Sequence, residues 1–136
     1  MPNEITKPII EKSWDIIVIG GGNAGVCAAI TAAERGCSVL VIDSAPRDMR
    51  GGNTRHTRNL RVMHDEPTDV MTGRYSFEEY WEDLMRVTMG VTNEHLAEIT
   101  LKSSQALMNW LGERGVRFQS ALSGTLNLSH TNAFFL

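Results

Sequence analysis

The apolar positions near the start of the chain form two strand-like runs on either side of one helical stretch. The run Ile16–Ile19 is apolar throughout and β-branched, which is typical of a parallel strand buried on both faces. Apolar residues then take helical spacing over Ala24–Arg35, and Gly36 stands where a helix usually ends. A second apolar strand, Ser38–Ile42, follows and leads directly to Asp43. This order predicts a strand–helix–strand unit.

The segment between the first strand and the helix is rich in glycine. Residues 20–25 have the spacing G-x-G-x-x-G. Gly20 permits a tight turn, Gly22 lacks the Cβ that would keep a pyrophosphate away from the backbone, and Gly25 lets the helix pack closely on the strand. The N–H groups and the positive dipole end of the helix would face the phosphates. Asp43 stands where an acid accepts hydrogen bonds from ribose hydroxyls, so the unit predicts a site for FAD or NAD rather than NADP.

Helical periodicity returns in the second half of the chain. The pair Ser76 and Glu79 has capping-box spacing and predicts a helix that continues to about Met89. A second helix is predicted from Thr92 or Asn93 to Arg114, with Gly115 as its stop. Its predicted buried stripe consists of Leu96, Ile99, Ser103, Leu107, Trp110 and Leu111.

The end of the chain bears on the fold class. A short strand is predicted at Val116–Gln119, and a turn-rich segment then ends on Phe134 and Phe135, which we expect to be exposed. The pattern shows two parallel strands, whereas half of a doubly wound dinucleotide domain needs three. We therefore expect an α/β fold, with a Rossmann-like βαβ unit followed by helices in an incomplete domain. Residues 1–13 are expected to be an N-terminal extension, and 14–136 the N-terminal part of a domain completed by further sequence or another chain.

The composition indicates which binding partners and which cellular location to expect. The net charge of −3 provides no basic surface for nucleic acid. No apolar stretch approaches the roughly 20 residues of a membrane span, and the first residues lack the apolar core of a signal peptide, so we expect a cytoplasmic protein. Cys27 and Cys37 stand outside any metal or disulfide pattern and are interpreted as small buried apolar residues.

Residues 44–75 have no clear periodicity and are rich in arginine. A stretch of that length inside a compact domain is uncommon unless it is functional. Its centre, residues 50–59, combines two glycines, short hydroxyl and amide side chains and three arginines, which suits the binding of an anionic, polar cofactor. The alternative is a solvated basic loop, since arginines are usually exposed.

Three strings in this sequence resemble a known class of flavoprotein. The Gly20–Asp43 unit followed by a Gly-Gly-Asn segment is similar to flavoproteins of the fumarate reductase/succinate dehydrogenase class. Within that class, Arg50–Asp65, Leu122–Gly124 and His130–Leu136 resemble the tricarballylate dehydrogenases. The resemblance implies FAD as cofactor, a small polycarboxylate substrate with tricarballylate oxidised to cis-aconitate, and reoxidation of the flavin by a membrane-associated iron–sulfur/haem protein.

The same resemblance implies roles for particular residues. Gly51, Gly52, Asn53 and Thr54 match the segment that passes the pyrophosphate and approaches the flavin. The class continues with small residues, whereas this chain has His56-Thr57-Arg58-Asn59. The complete set of predicted cofactor-binding residues is Gly20, Gly22, Asn23, Ala24, Gly25, Asp43, Ser44, Gly51, Gly52, Asn53, Thr54, His56, Thr57 and Arg58.

The charged residues of this segment allow several interpretations. We hypothesise that Arg58, or Arg55, stabilises the reduced flavin or binds the substrate carboxylates. His56 is interpreted as a polar contact to FAD or a solvent-facing residue, with covalent flavin attachment as a further alternative. His130 and Thr131 lie either at the edge of the site or in a structural position. No catalytic residue is assigned, because in this class the acid/base group lies far downstream.

Three alternatives stay open on the sequence. The chain could belong to another enzyme of the class, such as a fumarate reductase, a ketosteroid dehydrogenase or a cobalamin-pathway flavoprotein. It could be an inactive nucleotide-binding fragment that completes the sheet of another chain. An NAD-dependent dehydrogenase is the third alternative. In each case we expect the 136-residue chain alone to have no turnover.

Overall fold

The computed structural model describes residues 12–121 and 128–136. Contacts divide the chain into two units, one ending at Thr57 and one covering Arg58–Leu136. In the described part, no helix is long and apolar enough to cross a membrane. Of the predicted extension, only residues 12 and 13 are described. The helices and strands are β1 (Ile16–Ile19), α1 (Asn23–Glu34), β2 (Val39–Ile42), β3 (Asn59–Arg61), α2 (Phe77–Thr88), α3 (Glu94–Ser104), α4 (Leu107–Gly112), β4 (Phe118–Gln119) and β5 (Asn132–Phe135).

The first unit contains the predicted βαβ arrangement. Strands β1 and β2 pair in parallel, with Ile16 opposite Val39 and Ile19 opposite Ile42. The helix α1 connects them and packs on both. Gly36 follows the helix in the left-handed conformation, with φ of +84°, and donates its N–H to the carbonyl of Ala33. The local prediction is confirmed, while a third parallel strand is not found among the described residues, so the doubly wound topology stays a prediction.

The prediction that β1 is buried on both faces is wrong for this chain. The side chain of Ile19 is 79% exposed and that of Ile17 is 55% exposed. Val41 and Ile42 in β2 are also exposed. A sheet of two strands that packs against a single helix cannot cover all its apolar side chains, so the apolar composition of the run does not translate into burial.

The second unit has a three-stranded antiparallel sheet in the order β3-β5-β4. In this sheet Leu60 lies opposite Ala133, and Phe118 lies opposite Phe135. Its core is formed by Val62, Met71 and Ala133, with exposed fractions of 2% or less. Apolar residues of β3, β4, α4 and the loop before α2 pack around this core: Leu60, Val70, Leu107, Met108 and Phe118.

The end of the chain is therefore ordered differently from our expectation. Phe134 and Phe135 are half-buried residues of β5, the central strand of the sheet. The ring of Phe135 lies 5.5 Å from that of Phe118, centroid to centroid. Pairing with strands on both sides explains the burial of these phenylalanines, which local periodicity does not reveal because the partner strands lie far away in the sequence.

The start of α2 follows the predicted cap with one difference. The hydroxyl of Ser76 accepts a hydrogen bond from the N–H of Glu79 at 3.2 Å, as an N-cap residue does. The carboxylate of Glu79, which a capping box would turn back toward Ser76, contacts Nε2 of His130 at 2.9 Å. The residue at the third helical position thus links α2 to the segment that leads into β5.

The predicted helix from residue 92 to 114 is divided into α3 and α4. Its first part is capped by Asn93, whose side chain accepts from the N–H of Leu96 at 3.0 Å. The buried residues of α3 are Ala97, Leu101 and Ser104. The predicted stripe is therefore wrong in α3, where Leu96 is 59% and Ile99 is 50% exposed.

A polar contact accounts for the buried face of α3. The hydroxyl of Ser104 accepts a hydrogen bond from the N–H of Met63 at 3.0 Å and donates to the carbonyl of Leu101 at 2.7 Å. The predicted stripe included Ser103 and not Ser104, because the sequence pattern does not show which serine bonds a backbone N–H of a distant segment. The helix also stops at Ser104, and α4 begins three residues later at Leu107.

Candidate functional site

The turn between β1 and α1 has a geometry that requires glycine at two positions. Gly20 has a φ of +99°, and its N–H donates to the carbonyl of Ile42 at 2.7 Å. A Cβ at Gly25 would lie 2.0 Å from the carbonyl oxygen of Gly20. The first turn of α1 therefore lies against the glycine turn. This is the close packing that Gly25, the third glycine of the motif, was predicted to permit.

The start of α1 is bonded to the Gly-Gly-Asn segment. The N-cap residue Gly22 offers no side chain, and the N–H of Asn23 donates to Oγ1 of Thr54 at 3.0 Å. A Cβ at Gly22 would lie 3.6 Å from both Oγ1 of Thr54 and the carbonyl oxygen of Gly51. No acidic residue occupies the first turn of α1, so its positive dipole end is not neutralised from within the helix. Two sequence-predicted segments, separated by some thirty residues, therefore meet at one helix end.

Asp43 is held at the end of β2 by backbone donors. Its Oδ2 accepts from the N–H of Gly21 and its Oδ1 from the N–H of Ala45, each at 2.8 Å. These two hydrogen bonds, first that of Ala45 and then that of Gly21, lower the pKa of the Asp43 carboxyl below its usual value. Gly51 and Arg50 lower it further. The group is thus an ionised acceptor of fixed orientation, which suits hydrogen bonds from ribose hydroxyls.

A cavity of about 640 Å³ lies beside these groups. This volume falls within the range of about 300–1,000 Å³ found for small-molecule sites. Its chemistry fits the ADP half of FAD, because it combines an ionised carboxylate, closely approachable glycine backbone and two guanidinium groups. The lining residues are Gly21, Val26, Val41, Asp43, Ala45, Arg47, Arg50 and Gly51.

Only Asp43 and Gly51 of these lining residues belong to the sequence-predicted set, and the charged residues absent from it are Arg47 and Arg50. The sequence shows them as members of a generally basic segment, with no indication of which arginines face a ligand. The usable signal is their three-residue spacing after Pro46, which places both on one side of a helical turn.

The structure gives less information on the other residues that were predicted to bind the cofactor. Ala24 lies in the first turn of α1, and Ser44 follows Asp43; both are exposed. The other five occupy the exposed surface from the 3-10 helix Gly52–His56 to the start of β3: Gly52, Asn53, His56, Thr57 and Arg58. Contacts within the chain give no further information on these positions, and their roles stay predictions.

His130 is bonded on both sides of its ring. Its Nε2 lies 2.9 Å from Oε1 of Glu79, and its Nδ1 lies 3.3 Å from the carbonyl oxygen of Thr72. The neighbouring Thr131 is buried and donates to Oδ1 of Asn132. These contacts lie within the second unit and give His130 a structural function there. The string Leu122–Gly124, which also resembles the tricarballylate dehydrogenases, lies outside the described residues.

Comparison with known proteins identifies relatives among oxidoreductases. The chain is 26% identical over 123 residues to NADH:fumarate oxidoreductase of Klebsiella pneumoniae (strain 342), covering 89% of this chain and 13% of that protein. It is 30% identical over 125 residues to 3-oxo-5-alpha-steroid 4-dehydrogenase of Comamonas testosteroni, covering 84% and 22%. It is 28% identical over 104 residues to fumarate reductase (cytochrome) of Shewanella frigidimarina, covering 74% and 18%.

The chain thus spans between 13% and 22% of the length of these relatives. No solved structure gives a significant match. The FAD binding domain family matches residues 15–134, which include the glycine turn, Asp43, β3, β4 and all of β5 except Phe135. This match confirms FAD as the cofactor, and the chain belongs to the FAD binding domain family.

Proposed function

We propose that this chain is the FAD-binding part of a cytoplasmic dehydrogenase that oxidises a CH–CH bond of a small polycarboxylate, converting tricarballylate to cis-aconitate. In this proposal a membrane-associated iron–sulfur/haem protein reoxidises the reduced flavin. The FAD binding domain match supports flavin chemistry, and the similarity to fumarate reductases supports a carboxylate substrate. The choice of tricarballylate rests on the resemblance of Arg50–Asp65 and His130–Leu136 to the tricarballylate dehydrogenases.

One structural observation links the two strings. The strand β3 lies within the first string and β5 within the second, and the two strands pair, with Arg61 opposite Asn132. The side-chain amide of Asn132 also donates to Oδ1 of Asn59 at 2.9 Å. The two strings, more than sixty residues apart, thus form one antiparallel sheet.

In the proposed reaction, the residues of this chain bind and orient the cofactor and the substrate. The glycine turn and the N–H groups of α1 receive the diphosphate, and Asp43 receives the ribose. Bound FAD supplies the oxidant, since its flavin accepts a hydride. Arg58 places positive charge next to the sheet formed by the two strings: its carbonyl accepts from the N–H of Phe135 at 3.0 Å, and its side chain is exposed. We assign no proton acceptor among the described residues.

A second candidate is another enzyme of the fumarate reductase class. The similarity to NADH:fumarate oxidoreductase and to 3-oxo-5-alpha-steroid 4-dehydrogenase favours it, because those names denote other substrates. The two candidates share the cofactor site and differ in the substrate that exchanges a hydride with the flavin.

The test uses the flavin-loaded protein to which this chain belongs. The protein is mixed anaerobically with tricarballylate, succinate or a 3-oxosteroid in separate experiments. We expect tricarballylate to bleach the oxidised flavin absorbance and cis-aconitate to appear in equal amount, with little bleaching by the other two compounds. Bleaching by succinate or the steroid, with none by tricarballylate, would overturn the proposal in favour of the second candidate.

The variant Arg58→Ala of the same protein tests the contribution of a residue in this chain. We expect it to change the flavin reduction potential or to raise the tricarballylate concentration needed for half-maximal bleaching, since a cation is removed from the reacting region. Arg74→Ala, at another exposed arginine of the second unit, is the matched control and should leave both quantities unchanged. An Arg58→Ala protein with unaltered potential and substrate dependence would remove Arg58 from the proposal.

A further inference from the structure

The segment after β2 folds into one helical turn. The carbonyl of Pro46 accepts hydrogen bonds from the N–H of Met49 at 2.8 Å and from the N–H of Arg50 at 2.9 Å. Residues three apart in such a turn lie on the same side, which brings Arg47 and Arg50 together. Both line the cavity next to Asp43.

The charge of the cavity lining is positive. Arg47 and Arg50 provide two cations, whereas Asp43 provides the single carboxylate among the described lining residues. That carboxylate already accepts from the N–H groups of Gly21 and Ala45. Neither arginine has a hydrogen bond or an ion pair to another side chain in the described ranges, so both guanidinium groups are available to a ligand.

We infer that Arg47 and Arg50 are an anion-binding pair that contacts the diphosphate of FAD, in addition to the N–H groups of α1. A guanidinium group presents paired donors that match two oxygens of one phosphate, which makes arginine suited to this contact. The cavity reaches from Asp43, the ribose acceptor, to Gly21 and Gly51 beside the start of α1. A diphosphate between the ribose and the helix end would pass this pair. The inference rests on the FAD assignment and is independent of the proposed substrate.

The pKa of the Asp43 carboxyl is consistent with a position of Arg50 close to this acid. After the hydrogen bonds from Ala45 and Gly21, the positive charge of Arg50 makes a smaller contribution to lowering the pKa of the Asp43 carboxyl. The arginine pair and the acid therefore serve adjacent parts of one ligand, the anionic diphosphate and the neutral ribose hydroxyls.

The test measures binding of FAD, ADP and adenosine to the 136-residue chain by titration calorimetry. We expect Arg50→Ala and Arg47→Ala each to weaken FAD and ADP binding by about tenfold, because each removes a charged hydrogen bond to phosphate. Adenosine binding should be unchanged, since adenosine has no phosphate. Arg50→Lys should recover part of the loss, because it restores the charge without the paired donors.

Arg35→Ala is the matched control. Arg35 is an exposed arginine of the same unit, at the far end of α1, whose guanidinium donates to the carbonyl of Thr31. The Arg35→Ala protein should bind FAD, ADP and adenosine with the affinities of the unchanged protein. Circular dichroism of each variant confirms that the fold is retained.

Three results would overturn the inference. They are unchanged ADP affinity in both Ala variants, an equal loss for adenosine and ADP, and a chain that binds neither ADP nor FAD. An equal loss for adenosine would place the arginines against the base. Because these titrations use no polycarboxylate, their outcome is independent of the bleaching experiment with tricarballylate.

Discussion

Gly25 brings the backbone of α1 into direct contact with the turn that precedes it. A Cβ at this position would lie 2.0 Å from the carbonyl oxygen of Gly20 and 3.2 Å from a methyl group of Val18. Backbone cannot yield as a flexible side chain does, so the helix would have to move away from β1. We predict that Gly25→Ala destabilises the protein by about 1–3 kcal/mol or more and weakens FAD binding at least tenfold. Urea unfolding and FAD titration measure the two effects.

Gly112→Ala is the control for this substitution. Gly112 ends α4, has no positive φ, and a Cβ there meets nothing within 4 Å. A Gly-to-Ala change at a compatible position stabilises a protein by about 0.4–1 kcal/mol. If Gly25→Ala behaved like Gly112→Ala in both measurements, the close approach of α1 to the glycine turn would be wrong.

Individual site residues differ in how far the sequence reveals them. Gly20, Gly25 and Asp43 lie within one continuous strand–helix–strand unit, so spacing along the chain is enough to indicate their geometry. The contact of Thr54 with the N–H of Asn23 joins segments thirty-one residues apart, and no local pattern selects this hydroxyl from others in the basic segment. Arg47 and Arg50 were missed for the same reason, because composition describes the segment without describing its turn.

The element α2 depends on its N-cap. The hydroxyl of Ser76 bonds one of the N–H groups that the first turn leaves without a partner in the helix. We predict that Ser76→Ala lowers the free energy of unfolding by about 1 kcal/mol. Chemical denaturation monitored by tryptophan fluorescence, to which Trp81 in the same helix contributes, measures this change.

Ser103→Ala serves as the comparison within a neighbouring helix. Ser103 is an exposed residue of α3 and is not at its N-cap. Its substitution should change stability by less than about 0.5 kcal/mol. Equal stability changes in the two variants would contradict a capping role for Ser76.

The existence of the elements is easier to predict than the faces they bury. Capping residues and periodicity indicated α1, α2 and the start of α3. The faces depend on neighbours distant in sequence: Ser104 is buried because it bonds Met63, while Ile19 is exposed although its strand is wholly apolar. Hydropathy describes what a residue prefers, whereas burial depends on which elements are present to cover it.

At the scale of the whole molecule, long-range pairing determines the second unit. The strand β5 lies between β3 and β4, and its residue Phe134 pairs with Asn59, seventy-five residues earlier. Such pairing was not predicted, because a turn-rich segment with a few apolar residues gives no local indication of a central strand. The family assignment, in contrast, rests on a match over residues 15–134, which covers parts of both units.

The central claim is that this chain binds FAD, and the visible spectrum of the protein tests it most directly. The 136-residue chain is purified, mixed with excess FAD, desalted, and compared with an identically treated Gly25→Ala variant. We expect the unchanged protein to retain a flavin spectrum near one FAD per chain and the variant to lose most of it. A folded, unchanged protein that emerges colourless from desalting would contradict the claim.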